Sequence, residues 1–209
     1  MKRGFIFIFL IISFFILNWC WGIGRRELRE VERRLEKVVG RDFAVRIKHT
    51  KEINAYATEN GKIFITSKML EMCATKEELA FVLAHEMAHI VLRHHQKQRE
   101  KEVIGALLGV VVGKIAGADE EYEFRNWAKV GATLLGEKRS RKQEYQADEF
   151  AINLMNKAGF NPWGSVEILR RLREIYGDGP ADIPLLGWLA SHPVTRNRIR
   201  KLENLIRGR

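Results

Sequence analysis

The chain has 209 residues, enough to bury one core without disulfides or a partner, and its 46% hydrophobic and 30% charged content excludes a disordered polymer. A net charge of +10 and a pI near 9.8 favour anionic partners, nucleic acid or lipid headgroups, without choosing between them. Two cysteines, Cys20 and Cys73, are too few for a disulfide framework and lack the spacing of a C-x-x-C metal site.

Residues 1–24 open with Lys2 and Arg3 and continue as an apolar run from Phe5 to Leu17 broken only by Ser13. This is the layout of a signal peptide or a short N-terminal membrane anchor. Small residues at Cys20, Gly22 and Gly24 offer cleavage sites, while bulky Trp19 argues against lipidation of Cys20. Arg25, Arg26, Arg29, Arg33 and Arg34 pull the following side toward the cytoplasm, but a long folded domain translocates regardless of such charges. An extracytoplasmic, periplasmic location of domain 25–209, exported or anchored, is therefore expected.

Leu28, Val31, Leu35 and Val38 recur at helical spacing up to Gly40. Phe43, Val45 and Ile47 alternate as in a strand, and "INAYATENGKIFIT" reads as two strands joined at Asn60-Gly61. A small antiparallel sheet follows from this, then a short helix near Ser67 to Met72. Thr75 and Glu78 form a capping box for a helix that should run through "LAHEMAHIVLRHHQ" toward Gln98. Gly105, Gly109, Gly113 and Gly117 then repeat every fourth residue, a smooth ridge for close helix contact on a stretch too short to span a membrane. It reads either as a tightly packed hairpin helix in the core or as a membrane-dipping or lid element. A helix from about Arg141 to Ala158, another after Asn161-Pro162, a Gly/Pro-rich loop over Gly177 to Pro193 and an amphipathic final helix complete the chain. The fold class is α+β, mostly helical.

His85 and His89 lie one turn apart on one helix face, so both imidazoles reach a single tetrahedral ion. Glu86 is offset, placed to take a proton from water rather than to ligate. The flanking residues are apolar on nearly every side, and a buried helix must give such groups partners or lose several kcal/mol. His94 and His95 fall beyond the apolar run and read as exposed helix-end bystanders. A catalytic zinc needs a third ligand. Glu144 is the attractive carboxylate, with Asp148 one turn on to accept the N–H of a ligand histidine, and His192 is a further candidate.

"HEMAH" (85–89), "EYQAD" (144–148), "NKAGFNP" (156–162) and "SHPVTRNRI" (191–199), in that order, resemble the membrane-linked zinc metallopeptidases. That family includes HtpX, the CAAX prenyl endopeptidases and the Oma-type periplasmic quality-control proteases. The resemblance implies a gluzincin-type domain with an HExxH active-site helix and one Zn2+ per chain. By position, His85, His89 and Glu144 would bind the metal, Glu86 would be the catalytic base and Asp148 would orient a ligand. His192 and Arg198 would stand near the oxyanion, and Asn54, Ala55, Tyr56 and Ala57 would form the substrate-side strand. An edge strand there would bind extended peptide through its backbone. The implied activity is cleavage of unfolded or misassembled envelope proteins beside a membrane surface. No nucleic-acid partner is expected, and a homo-oligomer is left open. The competing reading is a chaperone or assembly factor whose zinc site is closed by His192.

Overall fold

The structure is a computed structural model that describes residues 23–136, 140–177 and 187–208. The expected signal or anchor, residues 1–24, lies almost wholly outside the described residues.

Helix α1 (Arg25–Val39) buries Leu28, Val31 and Leu35 and ends where Gly40 adopts φ 73°, the left-handed C-cap its missing Cβ permits. Strands β1 (Ala44–Lys48), β2 (Ala55–Ala57) and β3 (Lys62–Thr66) form one sheet in the order β1-β3-β2. The hairpin expected at Asn60-Gly61 joins β2 and β3 antiparallel, with Gly61 at φ 80°. β1 instead runs parallel to β3, so the sheet is mixed where an antiparallel one was expected. The cause is the connection 49–54, which crosses the sheet's end before turning back and so leaves the place beside β1 to β3. Ile53 is buried in the core, Ser67 Oγ donates to the Thr50 carbonyl and Asn54 N–H donates to Thr66 Oγ1. β2 is thereby left as an edge.

After α2 (Ser67–Met72) comes the central helix α3 (Lys76–Val91), in which every side chain from Glu78 to His89 is buried. It packs against α1, β2, α6 (Arg141–Lys157) and α7 (Trp163–Tyr176), which explains its apolar circumference. Its start departs from a full capping box. Thr75 Oγ1 accepts the Glu78 N–H, but the Glu78 carboxylate accepts the Ala74 N–H and a two-pronged bond from Arg171 at 2.5 and 2.7 Å. The stronger charge-assisted partner redirects the side chain.

The chain does not continue as one helix to Gln98. α3 stops at Val91, Arg93 turns left-handed at φ 54°, and α4 (His94–Ile115) starts immediately. α4 and α5 (Glu121–Gly136) form a hairpin in which a Cβ on Gly105 would collide with the Gly131 carbonyl and one on Gly109 with the Trp127 carbonyl. Gly105, Gly109 and Gly113 thus form a close helix contact, outside the core rather than within it, whereas Gly117 lies past the end of α4 at φ 88° and belongs to the turn. α8 (Gly187–Ser191) lies in the expected loop, and α9 (Arg196–Arg207) packs on α6 and α7.

Glu78→Ala strands Arg171 and the Ala74 N–H and should cost about 2 kcal/mol. Urea unfolding of the full chain in detergent measures it, and an unchanged midpoint would refute the proposed role of this pair.

Candidate metal centre

Three segments converge beneath the sheet edge. α3 projects His85, Glu86 and His89, α6 projects Glu144 and Asp148 from one face, and the chain after α8 brings in His192 and Arg198. His85, Glu86, His89 and His192 have no exposed surface, and Glu144 and Asp148 are buried.

His85, His89, Glu144 and His192 each turn one ligand atom toward a common point. His85 Nε2 lies 3.1 Å from His89 Nε2, 3.2 Å from His192 Nδ1 and 3.3 Å from Glu144 Oε2. His192 Nδ1 is 3.0 Å from Glu144 Oε2, and His89 Nε2 is 3.6 Å from Glu144 Oε1. Ligands 2.0–2.1 Å from a tetrahedral ion are separated by about 3.4 Å, so the four edges that share His85 Nε2, His89 Nε2, His192 Nδ1 and Glu144 Oε2 fit one small cation, while His89 also meets the second carboxylate oxygen. Lone pairs gathered in a dry pocket repel without such a charge between them. The donors are imidazole and carboxylate without thiolate, a set that suits zinc.

Each imidazole also has a partner at its other nitrogen. His85 Nδ1 is 3.0 Å from Asp148 Oδ1, His89 Nδ1 is 2.8 Å from His94 Nδ1, and His192 Nε2 is 3.3 Å from Glu86 Oε1. His94 therefore corrects the bystander reading: it is buried against His89. On an unbroken helix, residue 94 would point well away from residue 89; the left-handed Arg93 brings it back. No glycine marks that break, so helical periodicity alone could not find it.

Arg198, buried like the rest, donates through Nε and Nη2 to both oxygens of Asp148, at 2.6 and 2.7 Å. Its Nη1 is 3.2 Å from Glu144 Oε2. Burial raises the Asp148 carboxyl, but Arg198 and His85 outweigh it and hold the group below its usual range. Glu144 is likewise driven well below the carboxylate range against its burial, by His192, His85 and Arg198. Burial and Arg198 press His85 down, yet Asp148 and Glu144 leave it raised; in His192 burial prevails and its basicity falls. The guanidinium is committed behind His85.

Glu86 is the most tightly enclosed carboxylate of the site. Its Oε2 accepts the Ala57 N–H at 2.9 Å, and its Oε1 accepts the indole N–H of Trp188 at 3.2 Å. Nothing in the sequence singled out Trp188, which sits in the short helix α8, has no exposure and stacks near His192. Its own N–H donates to the Ile53 carbonyl, tying α8 to the start of the edge strand. In β2 itself, Thr58 N–H donates to Lys62 and Asn54 accepts from Thr66, so Asn54 and Thr58 face β3. Ala55 and Ala57 consequently turn their backbone groups away from the sheet, on the side of Glu86, while Tyr56 stacks on Phe64. A cavity of about 840 Å³ opens beyond His89, lined by Thr58, Ile90, Arg93, Val103 and Ile104 among others.

Residues 25–206 match peptidase family M48. The mitochondrial metalloendopeptidase OMA1 of Saccharomyces cerevisiae is 31% identical over 151 residues, covering 72% of this chain and 42% of that protein. A putative beta-barrel assembly-enhancing protease of Vibrio cholerae is 30% identical over 155 residues, covering 71% and 31%. The metalloprotease LoiP of Escherichia coli is 27% identical over 150 residues, covering 68% and 59%. The matched part thus spans about two fifths of the OMA1 relative.

Arg198→Ala leaves Asp148 buried and unpaired and should destabilise the fold by about 3–5 kcal/mol. Arg198→Lys should recover only part of that, because an ammonium cannot make the two-pronged bond. Chemical unfolding with chelator present reads both, and an alanine variant as stable as wild type would contradict the pairing.

Proposed function

The chain belongs to peptidase family M48, and from that premise we propose that it is a zinc metalloendopeptidase. The observation that carries this reading is the convergence of His85, His89, Glu144 and His192 with Glu86 beside them. Zinc held by His85, His89 and Glu144 would supply Lewis acidity and, at the position His192 vacates, acidify a water. Glu86 would take the proton of the attacking water and pass it to the leaving nitrogen. Asp148 and His94 would fix the rings of His85 and His89 and enhance their basicity as ligands. Arg198, bound to Asp148, is better placed to hold that carboxylate than to meet an oxyanion; His192 would be the oxyanion donor once turned from the cluster.

The substrate would lie extended along β2, on the outward backbone groups of Ala55 and Ala57. Such pairing reads little side-chain identity, which supports unfolded or misassembled envelope proteins as the class cleaved. The basic-then-apolar pattern of residues 1–24 supports an extracytoplasmic domain held at a membrane. The name of the Vibrio cholerae relative supports a setting of outer-envelope protein assembly.

A second reading has its own observation. Glu86 is engaged by Ala57, Trp188 and His192 at once, and none of the acid, its two neighbouring histidines or Trp188 reaches solvent. A chain that stayed so would bind zinc without cleaving, as a chaperone or assembly factor does, with His192 as fourth ligand. In the peptidase reading the α8 segment moves away when substrate binds.

Glu86→Gln should keep its zinc and lose about 10²–10⁴-fold in kcat on casein, whereas Glu144→Ala should lose the metal; equal zinc loss in both would overturn these roles. A wild type that holds zinc and cleaves nothing, while His192→Ala or Trp188→Ala cleaves, would establish the closed state as the resting one. His94→Ala should weaken zinc about 10–100-fold in chelator competition, and unchanged competition would remove His94 from the site.

A further inference from the structure

The α4–α5 hairpin stands apart from the body. Its two helices pack chiefly on each other, and the first part of α4 is tied back by an Arg99–Glu59 ion pair of 2.7 Å. The glycine contacts close the inner face, so everything apolar on the outside is left over. Val103, Ile104, Leu107, Leu108, Val111 and Ile115 are each more than half exposed. No charged residue occurs between Glu102 and Lys114. At 100° per residue these side chains, with Val110 and Val112, sweep about 200° of the α4 circumference.

The width of that arc selects its partner. A packed helix covers a strip of its neighbour, whereas acyl chains wet a wide curved surface. α5 supplies the complementary polar side: Arg125, Asn126, Lys129 and Thr133 are exposed along its outer face. Residues 103–115 measure about 20 Å at 1.5 Å each, short of the roughly 30 Å hydrocarbon core. Among the described residues no helix is long and apolar enough to cross a membrane. Asp119, Glu120 and Glu121 at the hairpin's turn oppose insertion tip first. What remains is a pair lying in the plane of the interface.

We propose that the α4–α5 hairpin is a monotopic membrane contact, with α4 immersed among acyl chains and the α5 face carrying Arg125 and Lys129 at the level of the headgroup phosphates. Val103 and Ile104 also line the cavity that leads to His89 and Thr58. The cavity mouth then opens at the bilayer surface, and the polypeptides reaching it are those emerging from or lying on that surface. This last clause rests on the peptidase reading; the contact itself does not.

The full chain, with Cys20→Ser and Cys73 left buried, is reconstituted in phosphatidylethanolamine–phosphatidylglycerol vesicles with one spin label, at Leu107→Cys or at Lys157→Cys. The Leu107 label should be relaxed by dissolved oxygen and shielded from an aqueous nickel chelate, with the reverse at Lys157. A Leu107 label open to nickel places the hairpin in water and overturns the proposal. Shielding from both relaxants places it against protein, a second copy of the chain, and overturns it equally. Neither failure touches the peptidase reading, which the Glu86→Gln comparison decides.

Discussion

Three imidazole nitrogens and a carboxylate point at one another inside a pocket without solvent, and the rest of the site exists to hold them so. Edges of 3.0–3.3 Å among the ligand atoms of His85, His89, Glu144 and His192 are the spacing of ligands around a small tetrahedral cation. The outer partners follow from the same demand. Asp148, His94 and Glu86 each engage the far nitrogen of one ring, and Arg198 keeps Asp148 charged and in place. A ring turned by a hydrogen bond loses little entropy when the metal arrives, which is how distant residues contribute to affinity.

The same enclosure constrains the chemistry. A general base must be reachable by water and substrate, yet Glu86, the base in the proposed reaction, is bonded to the edge strand and to Trp188. The groups that close the site, Trp188 and His192, share one short segment, which the Trp188 N–H ties to the Ile53 carbonyl. Moving that segment would uncover β2, release Glu86 from Trp188 and His192 while the Ala57 N–H still engages it, and open the fourth coordination position together. One displacement thus separates a storage-like metal site from a working one, and the two readings of function differ only in how readily it occurs.

Much of this was legible in sequence because it rests on helical spacing. His85 with His89, and Glu144 with Asp148, are pairs one turn apart, and a buried helix forces such groups to find partners. The hairpin at Asn60-Gly61 was legible because its turn needs a positive φ. What escaped depends on events with no local signature. Arg93 breaks the helix without glycine or proline and so converts His94 from a surface residue into a partner of His89. The buried crossing at Ile53 sets β1 parallel to β3, and Trp188, in the five-residue helix α8, gains its place through long-range contacts. The glycine ridge predicted close packing correctly, but periodicity cannot tell a helix inside the core from one that leaves it.

The zinc K-edge X-ray absorption spectrum of the metal-loaded full chain tests the four-residue donor set most directly. The substrate-free chain, with His192 still turned into the cluster, should show a first shell of four nitrogen and oxygen atoms at about 2.0–2.1 Å, with the outer scattering of three imidazoles. A sulfur shell, or a substrate-free shell with only two imidazoles, would contradict the four-residue set.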